Sequence, residues 1–259
     1  MTDSASSSSN SPRIAVVTGA GSGIGRAVAL GLLKDGFVVV LAGRRPEPLD
    51  AVVAEAKAAG QRALAVPTNV RDAASVDALF ARVSDEFGRL DLLFNNAGIG
   101  APPVTIDEMP LEKWQDVVDT NITGVFLSAR AAFGLMRRQT PQGGRIINNG
   151  SLSAHVPRVF STPYTASKHA VAGINKSIAL DGRAFNIVAT QLDIGNALTP
   201  LTTRMTKGIA QPNGTTMVEP TIDPRHVADA VRYIAGLPLD ATVLDMTLMA
   251  SAMPYVGRG

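Results

Sequence analysis

Cysteine is absent from this chain. Its absence excludes disulfides, a thiolate nucleophile and any Cys-based metal site. Histidine is scarce: His155, His169 and His226 are the three present, and they follow no metal-ligand spacing, so no metal is expected. Lys and Arg never form a block longer than two residues, and the formal net charge is only +2. A nucleic-acid partner is therefore not expected. No apolar run reaches the roughly 18 residues that a transmembrane helix needs, so neither is a membrane partner. The serine-rich start lacks the apolar centre of a signal peptide. Residues 1–11 are expected to be a disordered leader, and a cytoplasmic protein is the default.

Apolar residues, by contrast, make up 46% of the 259 positions, enough for a sizeable core without staples. Residues 13–17 form a short apolar run that leads into Thr18-Gly19-Ala20-Gly21-Ser22-Gly23-Ile24-Gly25. Ile24, Val28, Leu32 and Leu33 then recur at helical spacing. Strand, glycine turn and helix is the context in which a loop cradles a pyrophosphate, because small residues admit the phosphates and the helix start offers unpaired N–H groups. A tight turn without a ligand would carry the same residues.

Residues 37–42 read as a strand buried on both faces, and Gly43-Arg44-Arg45 follows it. An NAD site usually has a carboxylate here for the ribose 2′-hydroxyl; here no acid occurs until Glu47. An arginine can bind a 2′-phosphate that a carboxylate would repel, so NADP(H) is expected over NAD(H). The alternative is that both arginines are solvated turn residues. Helices are predicted over 48–59, 73–87, 162–181 and 226–235, and further strands over 62–66, 90–94, 144–149, 185–192 and 242–249. Such alternation predicts an α/β protein: a Rossmann-type, doubly wound parallel sheet of about seven strands with helices on both faces. No repeat or composition shift divides residues 12–259, so one domain is expected there. Residues 195–220 have little periodicity and read as a substrate lid.

Several side chains in this frame could carry chemistry. Tyr164 and Lys168 lie four apart, one helical turn, on one face of the helix over 162–181. A free tyrosine has a pKa of about 10 and is a poor base at neutral pH, and a nearby ammonium favours the phenolate. Ser151 follows the fifth strand with a hydroxyl able to bond a reacting carbonyl or alcohol. Asn121 interrupts an apolar helical stretch over 111–136 and is either an amide bonded to main chain or a site residue that holds water. Asn95-Asn96-Ala97-Gly98 ends the fourth strand, where open α/β sheets bind ligands, although a plain turn reads the same way. Ser153 is a loop hydroxyl or a secondary substrate contact, and His155 lies in the loop expected to border the substrate or is structural. Val156, Val159 and Phe160 line an apolar pocket or simply pack, and Asp193, without a paired acid, is not assigned a catalytic role.

Taken together these motifs resemble the short-chain dehydrogenase/reductase family from about residue 13 onward. The glycine loop looks like its TGxxxGIG motif, Asn95 to Gly98 like its NNAG, and Tyr164 with Lys168 like its YxxxK, thirteen residues after Ser151. The resemblance implies hydride transfer between a nicotinamide and a carbonyl or secondary alcohol, with Tyr164 as general acid/base and Ser151 holding the reacting oxygen. Lys168 would lower the Tyr164 pKa and bind the nicotinamide ribose, and Asn121 would hold a water that relays protons. Cofactor contacts would come from Gly19, Ser22, Gly23, Ile24 and Gly25 in the loop, and from Arg44 and Arg45 beyond the second strand. Asn69, Val70, Asn96, Ala97 and Gly98 would follow, with Tyr164, Lys168, Ile194 and Thr199 nearest the nicotinamide. Substrate would meet Ser151, Ser153, His155 and Tyr164. The chain departs from the family in having Asn69 where an Asp is frequent, Ile194-Gly195 in place of Pro-Gly, and a Met-Pro-Tyr-Val-Gly-Arg-Gly ending. A homodimer or homotetramer packed through the helices over 111–136 and 162–181 is expected by the same resemblance. An epimerase or dehydratase on this scaffold, or a non-catalytic NADP(H)-binding module, would share most of these residues.

Overall fold

The computed structural model describes residues 11–200, 202–203 and 208–255. The serine-rich leader, apart from Ser11, and residues 256–259 of the C-terminal ending lie outside them, as do five lid positions, 201 and 204–207.

Strand β1 (Ile14–Thr18) has all five residues buried, and β2 (Val38–Gly43) is buried up to its final glycine. Helix α1 (Gly23–Lys34) connects them, and α2 (Pro46–Ala58) leads on to β3 (Ala63–Pro67). Helix α3 (Ala73–Phe87) and β4 (Leu92–Asn95) follow, then α4 (Leu111–Val117), a π-helical turn (Val118–Thr123) and α5 (Gly124–Arg138). After β5 (Gly144–Asn149) come α6 (Thr162–Asp181) and β6 (Ile187–Ile194). The short strands β7 (Ile209–Ala210) and β8 (Thr216–Met217), helix α7 (Pro224–Gly236) and β9 (Asp245–Leu248) complete the order.

Seven strands form one parallel sheet in the order β3-β2-β1-β4-β5-β6-β9. The period of two along each strand divides the apolar residues between two cores. Ala15, Val17, Val39, Leu41, Leu92 and Phe94 join Val28 and Leu32 of α1 and Val227 and Val231 of α7. Ile14, Val16, Val38, Val40, Leu93 and Ile146 face the opposite way, onto Val76, Leu79 and Phe80 of α3 and Leu135 and Met136 of α5. Full burial of each large side chain contributes about 1.5–3 kcal/mol, so both faces must be covered by helices. The strand order reverses between β1 and β4, opening a crevice at their carboxyl ends, where doubly wound sheets take ligands.

The predicted α/β architecture holds, while several boundaries shift. Strands run on to their polar ends, Thr18 in β1 and Asn95 in β4, because a parallel ladder is set by main-chain pairing and apolar periodicity does not register it. The sixth strand begins at Ile187, not at 185, because residues Gly182–Phe185 form a 3₁₀ turn and Asn186 sits in the left-handed region at φ 56. The seventh predicted strand shortens at both ends to Asp245–Leu248, the stretch that pairs with β6. Helices α2 and α7 start two residues early, at Pro46 and Pro224, where proline suits a helix's first turn. Asp223 caps α7 by accepting from Arg225 N at 2.8 Å. The 195–220 segment is not wholly irregular: β7 and β8 pair antiparallel within it.

Candidate active site

The crevice holds a cleft of about 300 Å³ whose floor is the glycine loop between β1 and α1. Gly19 and Gly23 take the left-handed region at φ 66 and 52, which glycine enters without steric cost. A Cβ on Gly19 would stand 2.9 Å from Asn96 Nδ2, and one on Gly25 only 2.2 Å from Gly19 O. Asn96 fixes the loop from the other side: Nδ2 donates to Thr18 O at 2.9 Å, and Oδ1 accepts from Asn149 Nδ2 at 2.9 Å. Thr18 Oγ1 returns the contact by accepting from the main-chain N–H of Asn96 and Ala97 at 2.9 and 3.0 Å. At the start of α1, Ser22 makes no side-chain cap and the first turn carries no acid. The first N–H groups of that helix are therefore open to an anion, with the positive end of the helix dipole behind them.

Every residue the family resemblance nominates for the cofactor lines this cleft except Gly25, which packs beneath the loop. Three arginines stand along its far end: Arg44, Arg45 and Arg71. Arg71 is already paired, with Asp116 at 2.8 Å and Asp119 at 3.0 Å. The side chains of Arg44 and Arg45 are exposed and meet no acid or acceptor among the described residues. Asn69 spends its Oδ1 on the N–H of Arg71 at 3.3 Å, bracing its own turn.

Tyr164 lines both this cleft and a second pocket of about 110 Å³ behind it. Its hydroxyl has no hydrogen-bond partner among the described residues. Lys168 follows one turn later in α6, 7% exposed, with Nζ 5.4 Å from the Tyr164 ring centroid and donating to Asn149 O at 2.7 Å. Two further ammonium protons are left to serve a ligand in the cleft. Ser151 opens the second pocket, and its Oγ accepts from Ser153 N at 3.1 Å. Asn121 does not reach either cavity. Its Oδ1 accepts from Ile99 N and its Nδ2 donates to Ile99 O, both at 2.9 Å, with Ser167 Oγ at 3.2 Å. The side chain thus ties the loop after β4 to α6 from inside the π-helical turn, a distortion that concentrates at functional sites.

Ser153 and Phe160 line the second pocket; His155, Val156 and Val159 are not among its walls. Phe160 is held at φ 57, an uncommon conformation for a bulky residue. Arg158, Asn196 and Met253 are among the wall residues to which sequence reasoning gave no role. Met253 comes from the C-terminal ending and packs on Leu152 and Ala250, so that ending builds part of the pocket. Only fold closure brings it there, and no local signal marks it.

Arg158 Nη2 donates to Glu219 Oε2 at 2.6 Å, and Asn196 Nδ2 donates to the same oxygen at 2.9 Å. Glu219 Oε1 accepts from Gln211 Nε2 at 3.2 Å, so one buried carboxylate joins the β7–β8 segment to the pocket wall. Burial raises the Glu219 carboxyl, but the Arg158 guanidinium and the two amides outweigh that and hold it at about 2. Its ordinary value is 4.5, so the stabilisation is complete above that pH and lost as pH falls toward 2. The stability gap between the wild type and Glu219→Gln should accordingly narrow between about pH 5 and about pH 3. A gap of constant size in acid melts would refute this.

A family model described as short chain dehydrogenase matches residues 13–210. The chain is 36% identical over 247 residues to a 3-oxoacyl-[acyl-carrier-protein] reductase from Synechocystis, covering 91% of this chain and 94% of that protein. It is 38% identical to a 3beta-hydroxysteroid dehydrogenase from Mediterraneibacter gnavus over 197 residues, 76% of this chain and 70% of that one. Among solved structures, a variant of actinorhodin polyketide ketoreductase with NADPH superposes with a TM-score of 0.80 at 30% identity, covering 92% of this chain and 95% of that one. A 3-ketoacyl-(acyl-carrier-protein) reductase from Brucella melitensis complexed with NADH gives 0.80 at 28%, covering 91% and 96%. The chain belongs to the short-chain dehydrogenase family. It is an oxidoreductase of that family, acting on carbonyl or alcohol substrates with a nicotinamide dinucleotide.

Proposed function

We propose that this oxidoreductase uses NADP(H) and exchanges a hydride with a compact ketone, aldehyde or secondary alcohol, Tyr164 serving as general acid/base. The observation that carries this reading is the Tyr164 hydroxyl, without a partner among the described residues at the junction of two cavities, with Lys168 a turn away. The cofactor fits the residues present. Its pyrophosphate would rest on the glycine loop and the uncapped start of α1, and Arg44 and Arg45 would take a 2′-phosphate. When bound, it supplies or accepts the hydride.

The chain's own residues do the rest. Ser151 keeps its hydroxyl proton to donate to the carbonyl oxygen, because its Oγ already accepts from Ser153 N. Tyr164 delivers the proton to that oxygen in reduction and removes it in oxidation. Lys168 Nζ stabilises charge on the tyrosine oxygen and bonds the ribose hydroxyls. Since the Asn121 amide is consumed by Ile99 and Ser167, a relay water beside Lys168 would be held by main chain of the π-helical turn. The walls of the second pocket, with Leu152, Phe160, Ile194 and Met253, favour an apolar substrate body. Exposed Leu111, Phe126 and Leu180 on α4, α5 and α6 support assembly into a homodimer or homotetramer, which light scattering would read directly.

Stoichiometric NADPH oxidation across ketones, aldehydes, quinones and sugars tests the activity; consumption with none of them would sink it. Cofactor choice has its own test. Arg44→Ala with Arg45→Ala should raise KM for NADPH by about 10- to 100-fold, the loss of one or two charge-assisted contacts, and leave KM for NADH nearly unchanged. Equal effects on both cofactors would refute the 2′-phosphate assignment.

A further inference from the structure

Asp193 is a buried acid to which the hydride-transfer chemistry gives no task. It sits one residue before the end of β6, 1% exposed, beside the turn that carries Ser151. The β5–β6 ladder pairs Asn149 with Leu192, and Gly150 N donates to Leu192 O at 2.9 Å. At Ser151 the chain leaves the ladder, and Asp193 Oδ1 takes the Ser151 N–H at 2.8 Å. The same oxygen accepts from Gln191 Nε2 at 2.8 Å. The other oxygen, Oδ2, lies 2.7 Å from His155 Nε2. One carboxylate therefore grips both ends of the turn over residues 151–155.

Two more observations give that grip a direction. Inside the turn, Ser153 N donates to Ser151 Oγ at 3.1 Å, and Ala154 N donates to Ser151 O at 2.8 Å. The Ser151 hydroxyl is thus aimed by a turn whose ends are both fastened to Asp193. Gly150 has made room for this, since a Cβ there would stand 2.1 Å from Asp193 Oδ1. His155, with 47% of its side chain exposed and no place in the pocket wall, is the outer fastening.

We infer that Asp193 is a positioning residue for Ser151, fixing the direction in which its hydroxyl meets the substrate oxygen, with His155 completing the clamp. The inference rests on the proposed role of Ser151. Loss of the clamp lets the hydroxyl drift, and a misplacement of about 1 Å costs on the order of 100-fold in rate.

The test is a double-mutant cycle on kcat, with NADPH as reductant and cyclohexanone, or whichever ketone or aldehyde of the screen turns over fastest, as carbonyl probe. Asp193→Ala should lower kcat by about 100-fold while the Kd for NADPH stays within about 2-fold. Asp193→Asn should lose no more than about 3-fold: its Oδ1 still accepts from Ser151 N, and its amide can donate to the His155 ring. In a Ser151→Ala background, Asp193→Ala should cost no more than about 3-fold further, because groups that act as a unit are not additive. If Asp193→Ala does not fold, His155→Ala, at the exposed end, carries the cycle. It should cost about 5-fold in kcat with Ser151 present and nothing measurable without it.

Multiplicative losses in the two backgrounds, or an Asp193→Asn loss as large as that of Ala, would overturn the positioning role and leave the hydride-transfer reading standing. Full kcat in Ser151→Ala, or no carbonyl turned over at all, would instead overturn the reading of the site and the role of Asp193 with it.

Discussion

Tyr164→Phe should lower kcat by about 10³-fold, within the range that a positioned general acid contributes, with NADPH binding changed less than about 2-fold. The substitution is unusually clean. Among the described residues the hydroxyl bonds nothing, so its removal orphans no donor or acceptor there, and the ring keeps its place beside Lys168. Stability should therefore hold, and the whole effect should appear in turnover. Fluorescence titration of NADPH, a thermal melt and initial rates decide the matter together. Activity above a tenth of wild type would remove Tyr164 from the chemistry, and a large drop in Tm would move its role to the fold.

Gly25→Ala has the second largest expected effect, and it acts on the proposed cofactor cradle from beneath, at a residue that does not itself line the cleft. The added methyl would stand 2.2 Å from Gly19 O, 2.6 Å from Asn96 Nδ2 and 2.8 Å from Gly19 C. Two of those three atoms are main chain of the loop itself and have no rotamer to change. Relief must come from displacing the loop, which also strains the Asn96 bond to Thr18 O. Overpacking of this kind costs about 1–3 kcal/mol, or roughly 2–10 °C in Tm for a chain of this size. NADPH affinity should fall at least about 10-fold, because the phosphate-facing main chain moves with the loop. A variant that melts and binds like the wild type would show that helix α1 can slide to accept the methyl.

These two sites also mark how much was legible before any coordinates. Alternation of apolar runs with helical periods specified the sheet, because the central strands β1, β2, β4, β5 and β6 are buried on both faces and each helix on one. Helices α3 and α6 and strand β5 fall where the pattern put them, since a cap, a proline or a glycine bounds them locally. The polar strand ends and the Asn186 kink were not legible, because main-chain pairing decides them. At the site, Tyr164 and Lys168 were readable from spacing, being on one helix. Arg158 and Glu219 were not: 61 positions separate them, and only the return of the β7–β8 segment brings them to 2.6 Å. Asp193 was visible as an acid near the site but not as a clamp, because the Ser151 N–H and His155 belong to the turn after β5 and reach it only in the folded chain.

The wall that Met253 contributes orders the protein's own making. Every described residue lining the glycine-loop cleft lies at or before position 202, while the neighbouring pocket also needs residue 253. A ribosome adding 5–20 residues per second reaches that methionine roughly 3–10 s later. On the growing chain, the described residues of the glycine-loop cleft have all been made before the other chamber receives Met253.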